Sequence, residues 1–256
     1  LDYLFGIERT NQTMLTIIML VTMVFIVSAI TGVYKGIKIL SNLNTYIALA
    51  LLIIVFIVGP KITILNNLTN SVGLHIQYMV KDLFMTNAFG DNSWIMNWRV
   101  FYYAWFVAWT PFVGMFLARI SKGRTVREFI VGVVIVPSIF TIIWLAVFSA
   151  IALASVKGWD VASVQQLVTS PETAVFIVFS KYPLAKLISL MIINLLAIFF
   201  ITSADSATYS LSVMTSNGNI APPTYKKVTW GVVVAAIAYI LLSAGRLKPL
   251  QVISIA

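Results

Sequence analysis

Residues Phe129–Val156 read FIVGVVIVPSIFTIIWLAVFSAIALASV, and none of these side chains is charged. A helix that crosses the hydrocarbon layer of a bilayer needs about 20 apolar residues, so this stretch is long enough for a complete span. It is apolar on every side, whereas a helix of a soluble protein usually carries a polar stripe. The strands of a membrane barrel are instead segments of about ten residues that alternate in polarity. The stretch therefore predicts a membrane-spanning helix.

The same pattern recurs along the chain. Only 10% of the 256 residues are charged and 60% are apolar, whereas a soluble domain carries about 25% charged residues because water must cover its surface. We therefore predict an all-α integral membrane protein, a polytopic helical bundle that forms one transmembrane domain over residues 1–256. Five further windows contain no charged residue: Thr10–Tyr34, Ile39–Pro60, Val100–Ala118, Leu187–Ala204 and Val228–Gly245.

The apolar windows and their flanking loops define the expected spans. Residues 68–92 mix apolar and polar side chains, which predicts an amphipathic surface helix. The chain does not begin with Met, and an apolar stretch that starts at Leu250 stops at Ala256. We therefore expect an internal piece of a larger polytopic protein. The predicted spans are 11–34, 44–65, 94–120, 129–156, 183–215, 227–244 and a truncated 250–256.

The net charge of +9 comes from basic residues that lie between the apolar windows. The clusters are Lys35 with Lys38, the turn around Arg119–Arg127, and Lys226 with Lys227. They fall in alternate loops, as expected for the cytoplasmic loops of a membrane protein, so we expect no nucleic-acid partner. The same rule predicts that residues 35–44, 121–128 and 216–227 are cytoplasmic and that 61–92 and 157–182 are outside.

Residues suited to catalysis are scarce. The chain has no Cys and a single His, His75, and Asp205 is the one acidic residue deep within a predicted span. A membrane-embedded enzyme would need clustered His, Cys or paired acids, so we predict no enzymatic activity and no cofactor. A channel or a structural scaffold remains an alternative class.

The helix before the basic turn carries a row of aromatic residues on one face. One interpretation is an aromatic belt at the membrane interface. The other is a substrate site, because aromatic faces attract a quaternary ammonium. Pro111 is expected to open or kink the helix, and secondary transporters bind substrates at broken helices. The aromatic residues, spaced by four and three positions, are Trp98, Tyr102, Trp105, Trp109 and Phe112.

Hydroxyl and carboxyl side chains are concentrated in Thr202–Thr208, within an otherwise apolar helix. They can serve as hydrogen-bonding groups between helices. Alternatively they form a site for Na⁺, in which hydroxyl and carbonyl oxygens replace water around the ion. Thr202 and Ser203 are neutral ligands, which suits a monovalent ion that must be released again. An ionisable residue within the membrane, such as Asp205, is itself a signal of function.

These two stretches, with GMFLARISKGRTVREFI at Gly114–Ile130 and with Gly32–Ser41, closely resemble the betaine/carnitine/choline transporter family. The resemblance covers nearly the whole chain, and the aromatic helix that runs into a Gly-Arg-Thr-x-Arg-Glu-Phe turn is highly specific. It implies a LeuT-like core of two inverted repeats, with the substrate held between helices near the midplane. It also implies that the earlier helices of this core, and the end of its last helix, are missing from the chain.

The resemblance implies a substrate box on the aromatic helix. Phe106 stands where the family usually places a tryptophan of the box, and Trp105 and Trp109 match the tryptophans beside it. Tyr102, on the same row, completes the expected substrate-binding set. Phe in place of Trp weakens the attraction for a cation, because Trp has the strongest aromatic face.

The resemblance also implies sodium sites. Thr202 and Ser203 match the hydroxyl ligands of one site, and Phe199 matches a backbone carbonyl ligand there. Thr22 and Phe112 match members of a second site. Ile26 stands where sodium-coupled members can carry another hydroxyl, so the second site departs from the family pattern.

Together these matches imply a multi-pass secondary transporter of a bacterial cell membrane that takes up a quaternary ammonium osmolyte for osmoprotection. We expect sodium-coupled symport of glycine betaine by alternating access, because no Arg or Lys lies between Asn11 and Tyr34, where sodium-independent exchangers are expected to carry an arginine. Proton-coupled choline uptake and carnitine/betaine exchange are the alternatives. The expected partners are the quaternary ammonium substrate, the lipid bilayer and, by resemblance, further copies in a homotrimer, with Na⁺ as the coupling ion.

Overall fold

The computed structural model describes residues 2–8, 10–31, 36, 38–87 and 89–245, so the truncated span predicted at 250–256 lies outside the described residues. All regular structure in these ranges is helical. Two π-helical turns, Ile95–Val100 and Val131–Ile135, precede α5 and α7. The α-helices are α1 Asp2–Phe5, α2 Asn11–Thr31, α3 Lys38–Val58, α4 Lys61–Phe84, α5 Phe101–Ile120, α6 Val126–Ile130, α7 Val136–Val156, α8 Val161–Thr169, α9 Pro171–Phe179, α10 Ala185–Met214 and α11 Thr224–Gly245.

Six helical stretches in the described part of the chain are long and apolar enough to cross a membrane. They confirm the predicted all-α polytopic membrane fold, and each overlaps one of the predicted spans. The inverted repeat and the single transmembrane domain over 1–256 stay predictions. The six stretches are Asn11–Thr31, Lys38–Val58, Ile95–Ile120, Val126–Val156, Ala185–Met214 and Thr224–Ser243.

The second stretch differs from the predicted span 44–65. It ends at Val58 because Gly59 and Pro60 interrupt the helix, and α4 begins directly afterwards. A Cβ atom on Gly59 would lie 2.8 Å from Cδ1 of Ile151 and 2.9 Å from the carbonyl oxygen of Val55, so there is little room for a side chain at this position. α4 covers 61–84 rather than the predicted surface helix 68–92, and Ile64 is its one buried residue.

The aromatic helix does not open at Pro111, and the alternative prediction of a kink there stays a prediction. α5 runs without interruption from Phe101 to Ile120 with Pro111 inside it. A proline within a membrane helix is tolerated because neighbouring groups satisfy the backbone carbonyl that loses its hydrogen bond. The helical irregularity lies earlier, in the π-helical turn Ile95–Val100.

The chain forms two compact units. One comprises Thr45–Met85 and Gly123–Leu195, and its buried core includes Leu51, Ile151 and Ile188, each 0% exposed. Its helices α4 and α7 are also joined by a side-chain amide. Nδ2 of Asn67 donates to the carbonyl oxygen of Ala146 and to Oγ of Ser149, both at 3.0 Å.

The other unit comprises Leu1–Asn44, Thr86–Lys122 and Leu196–Ala256. Its buried cluster consists of Phe25 from α2 with Ile201 and Ala204 from α10. α2 also packs closely against α11, where a Cβ atom on Gly231 would lie only 2.8 Å from Cγ1 of Ile26. Both predicted functional stretches belong to this unit.

Candidate functional site

The aromatic residues of α5 and of the preceding π-helical turn lie along one face, as their spacing predicts. Trp98 and Tyr102 stack with 6.0 Å between ring centroids. Tyr102 meets Trp105 edge to face at 5.8 Å, and Trp105 meets Trp109 in the same way at 6.2 Å. Phe106 lies 6.1 Å from Trp105 but is 68% exposed. The rings therefore form a continuous row that ends at Trp109.

A cavity of about 230 Å³ opens at the end of this row. Its walls come from the first part of α3, the second half of α5 and the middle of α10, all within one compact unit. One wall is aromatic and the facing wall carries hydroxyl groups. The lining residues are Ser41, Trp109, Phe112, Val113, Phe116, Thr202, Ser203, Ser206 and Ala207.

The cavity brings together residues that the two sequence patterns predict separately. Trp109 belongs to the predicted substrate set, Phe112 to the second predicted sodium site, and Thr202 and Ser203 to the first. Their meeting follows from the packing of α5 near α10, where Oγ of Ser210 donates to the carbonyl oxygen of Phe112 at 3.2 Å.

Five predicted site residues do not line this cavity. Tyr102, Trp105 and Phe106 lie earlier on the aromatic row, with Tyr102 40% exposed. Phe199 is 62% exposed, one turn before Thr202. Thr22 is half-buried on α2 and is likewise not a lining residue. Only part of each predicted set therefore lines the cavity, and the other members lie elsewhere on α2, α5 and α10.

The hydroxyl groups on the α10 wall differ in how they are bonded. Oγ1 of Thr202 donates to the carbonyl oxygens of Ile198 and Phe199, both at 3.0 Å. Its hydrogen is therefore used within the helix, while an oxygen lone pair remains available. Ser203 makes no side-chain hydrogen bond with the described residues, so its hydroxyl is free to turn toward an occupant of the cavity.

Sequence reasoning missed part of the lining. Ser206 lies one helical turn after Thr202, and Phe116 one turn after Phe112, so both follow from extending the helix faces by four residues. Ser41 comes from α3, which no local pattern connects with α5 or α10. Only the tertiary packing identifies it as a lining residue.

Residues 1–256 match the family described as BCCT, betaine/carnitine/choline family transporter. The chain is 42% identical, over 98% of its length, to the glycine betaine transporter OpuD of Bacillus subtilis, of which it covers 49%. It is 40% identical over 93% of its length to the betaine/ectoine transporter LcoP of Corynebacterium glutamicum, covering 38% of that protein. It is 36% identical over 93% of its length to the ectoine/hydroxyectoine transporter of Virgibacillus pantothenticus, covering 47%. The chain thus spans about half the length of these relatives or less.

Proposed function

Because this chain belongs to the betaine/carnitine/choline transporter family, we propose that the full-length protein imports a quaternary ammonium osmolyte by sodium-coupled symport. Glycine betaine is the proposed substrate, and the chain crosses a bacterial plasma membrane several times through its six apolar helices. The names of relatives that transport betaine support this class of substrate.

The observation that carries the proposal is the composition of the cavity. No charged side chain is among the described residues that line it. A trimethylammonium group cannot donate an N–H hydrogen bond, so aromatic faces stabilise it better than carbonyl groups do. Trp109, Phe112 and Phe116 supply such faces from α5. A small compact osmolyte with a trimethylammonium group suits a cavity of about 230 Å³.

The opposite wall suits the coupling ion. Thr202, Ser203 and Ser206 present hydroxyl groups from successive turns of α10. Hard cations prefer oxygen ligands, and neutral oxygens bind a monovalent ion without holding it as strongly as carboxylates would. Phe199, Thr22 and Phe112 remain proposed members of the sodium sites. Tyr102, Trp105 and Phe106 remain proposed substrate contacts along the aromatic row.

Uptake of radiolabelled glycine betaine by the full-length protein, in cells that lack their own betaine uptake, tests the proposal. We expect uptake to require Na⁺ and not to follow an imposed proton gradient. Thr202→Ala combined with Ser203→Ala should raise the Na⁺ concentration for half-maximal uptake about tenfold or more, because two oxygen ligands are removed.

The matched control is Ser138→Ala. Oγ of Ser138 donates to the carbonyl oxygen of Val134 within its own helix, in the other compact unit. The Na⁺ concentration for half-maximal uptake by the Ser138→Ala variant should equal that of the native protein. Unchanged sodium dependence in the Thr202/Ser203 double variant, at normal abundance, would assign these hydroxyls to helix packing. The homotrimer is part of the same proposal, and light scattering of the purified protein in detergent measures it.

A further inference from the structure

A buried carboxylate lies next to the proposed sodium ligands but faces away from the cavity. Asp205 is 1% exposed and does not line the cavity, although it follows Ser203 by two residues. Two residues turn an α-helix by about 200°, so the two side chains point to opposite sides of α10. Oγ of Ser28, on α2, donates to Oδ2 of Asp205 at 2.5 Å. α10 therefore lines the cavity with one face and contacts α2 with the opposite face.

A lysine of α11 also contacts α2 beside Ser28. Nζ of Lys227 donates to the carbonyl oxygen of Ala29 at 3.0 Å, next to Ser28 near the end of α2. The opposite charges of Lys227 and Asp205 also attract each other, whereas the like charge of Arg119, on α5, repels Lys227. α2 itself carries no charged residue. One carboxylate, one hydroxyl and one ammonium group thus connect α2, α10 and α11.

Gly36 lies close to Ser28. A Cβ atom on Gly36 would lie 2.6 Å from Oγ of Ser28 and 2.7 Å from its carbonyl oxygen. A side chain at position 36 would therefore collide with Ser28, so glycine is needed for this approach.

The bond from Ser28 is also the one side-chain hydrogen bond that Asp205 receives within the described part of the chain. Oδ1 of Asp205 has no hydrogen-bond partner there. Burying a carboxylate with too few partners costs free energy. Loss of the Ser28 hydroxyl therefore leaves the carboxylate without a hydrogen bond and favours a shift of α10 relative to α2.

We propose that Asp205 is a positioning residue for sodium coupling, because its bond to Ser28 fixes the rotation of α10 that turns Thr202 and Ser203 toward the cavity. The inference rests on the proposed sodium symport. It assigns Asp205 no direct contact with substrate or ion. Its effect on sodium affinity is transmitted through the α2–α10 contact.

The test measures sodium binding directly. An ion that binds the folded state raises its stability in proportion to the logarithm of one plus the ratio of the Na⁺ concentration to Kd. The melting temperature of the purified full-length protein, followed against Na⁺ concentration, therefore gives the Na⁺ concentration that half-saturates the site, which is called the sodium midpoint. We expect Ser28→Ala to raise this midpoint about tenfold, which equals ~1.4 kcal/mol and lies near the value of a hydrogen bond to a charged group. Asp205→Ala removes the acceptor of the same bond and should raise the midpoint in the same direction.

The matched control is Ser212→Ala. Ser212 is also a buried serine of α10, but its Oγ donates to the carbonyl oxygen of Thr208 within the same helix, at 2.7 Å. The sodium midpoint of the Ser212→Ala variant should stay within twofold of the native value. In the double variant Ser28→Ala with Asp205→Ala, the two effects should not add, because each substitution removes the bond between the two side chains.

The outcomes separate this inference from the proposed function. If the native protein shows a sodium midpoint but Ser28→Ala leaves it unchanged, or moves it no more than Ser212→Ala does, the positioning role is wrong and sodium coupling stands. Additive effects in the double variant also overturn it. If the native protein shows no sodium midpoint, sodium coupling is wrong and the inference falls with it. Should Ser28→Ala fail to fold, Asp205→Ala carries the same comparison.

Discussion

Trp109 is the residue at which the proposed substrate site is most sharply tested. It is the one tryptophan among the residues that line the cavity, and it is 37% exposed. Its ring is supported edge to face by Trp105. Trp94 serves as the comparison, because it lies before the aromatic row, is 58% exposed and already faces the guanidinium of Arg99 at 5.6 Å.

The expected effect of Trp109→Leu on substrate affinity follows from the cation–π interaction. A desolvated contact of this kind contributes about 2 kcal/mol, and ~1.4 kcal/mol corresponds to a factor of ten. The variant should therefore bind glycine betaine about thirtyfold more weakly, whereas Trp94→Leu should change the affinity less than threefold. Leucine keeps apolar bulk, so the loss is that of the aromatic face. Trp109→Phe, which keeps a weaker face, should fall between Trp and Leu.

Equilibrium binding of radiolabelled glycine betaine to the purified protein at saturating Na⁺ measures all three variants. Melting temperatures within a few degrees of the native value serve as the control for folding. Equal losses in Trp109→Leu and Trp94→Leu would assign the aromatic row to the membrane interface. Equal losses in Trp109→Phe and Trp109→Leu would show that shape, rather than the aromatic face, governs binding.

Two further predictions concern topology and packing. The chain has no cysteine, so single cysteines are labelled without background: an impermeant maleimide applied to intact cells should label Ser163→Cys and not Gly123→Cys, and the reverse pattern contradicts the predicted topology. Gly231→Ala should lower the melting temperature, since its new Cβ would meet Ile26 at 2.8 Å and overpacking costs about 1–3 kcal/mol. Gly114→Ala on α5, where no atom lies within 4 Å of the new methyl group, should not lower it; equal losses in both variants would refute the packing argument.

The helices could be predicted from the sequence because their signal is local. A charge-free window of about 20 residues spans the membrane whatever its neighbours are, so all six spans overlap their predictions. Boundaries were less accurate where the apolar pattern continues past a break. The second span ends at Val58 because Gly59 and Pro60 interrupt the helix. Apolar residues on both sides of this break extend the predicted span to residue 65, although a Gly-Pro pair is itself a local signal for an interruption.

The candidate site could be predicted only in part, because tertiary packing brings some of its members together. Trp109 and Thr202 follow from spacing and composition within single helices, and both line the cavity. Ser41 and the bond between Ser28 and Asp205 join segments of the chain that are distant in sequence, the latter by 177 positions. Single-sequence patterns carry no information about such pairs, so Asp205 was recognised as unusual but its partner was not.

The uncharged lining of the cavity has an electrical consequence. Since no described lining residue carries a formal charge, no side chain there cancels the charge of an ion that occupies the cavity. In the proposed symport, a zwitterionic osmolyte that travelled with one Na⁺ would move one net positive charge across the membrane. A potential of 100 mV contributes about 2.3 kcal/mol to each such charge, which corresponds to about fiftyfold accumulation of the osmolyte. The voltage across the membrane would therefore drive uptake even where the sodium concentrations on the two sides are equal.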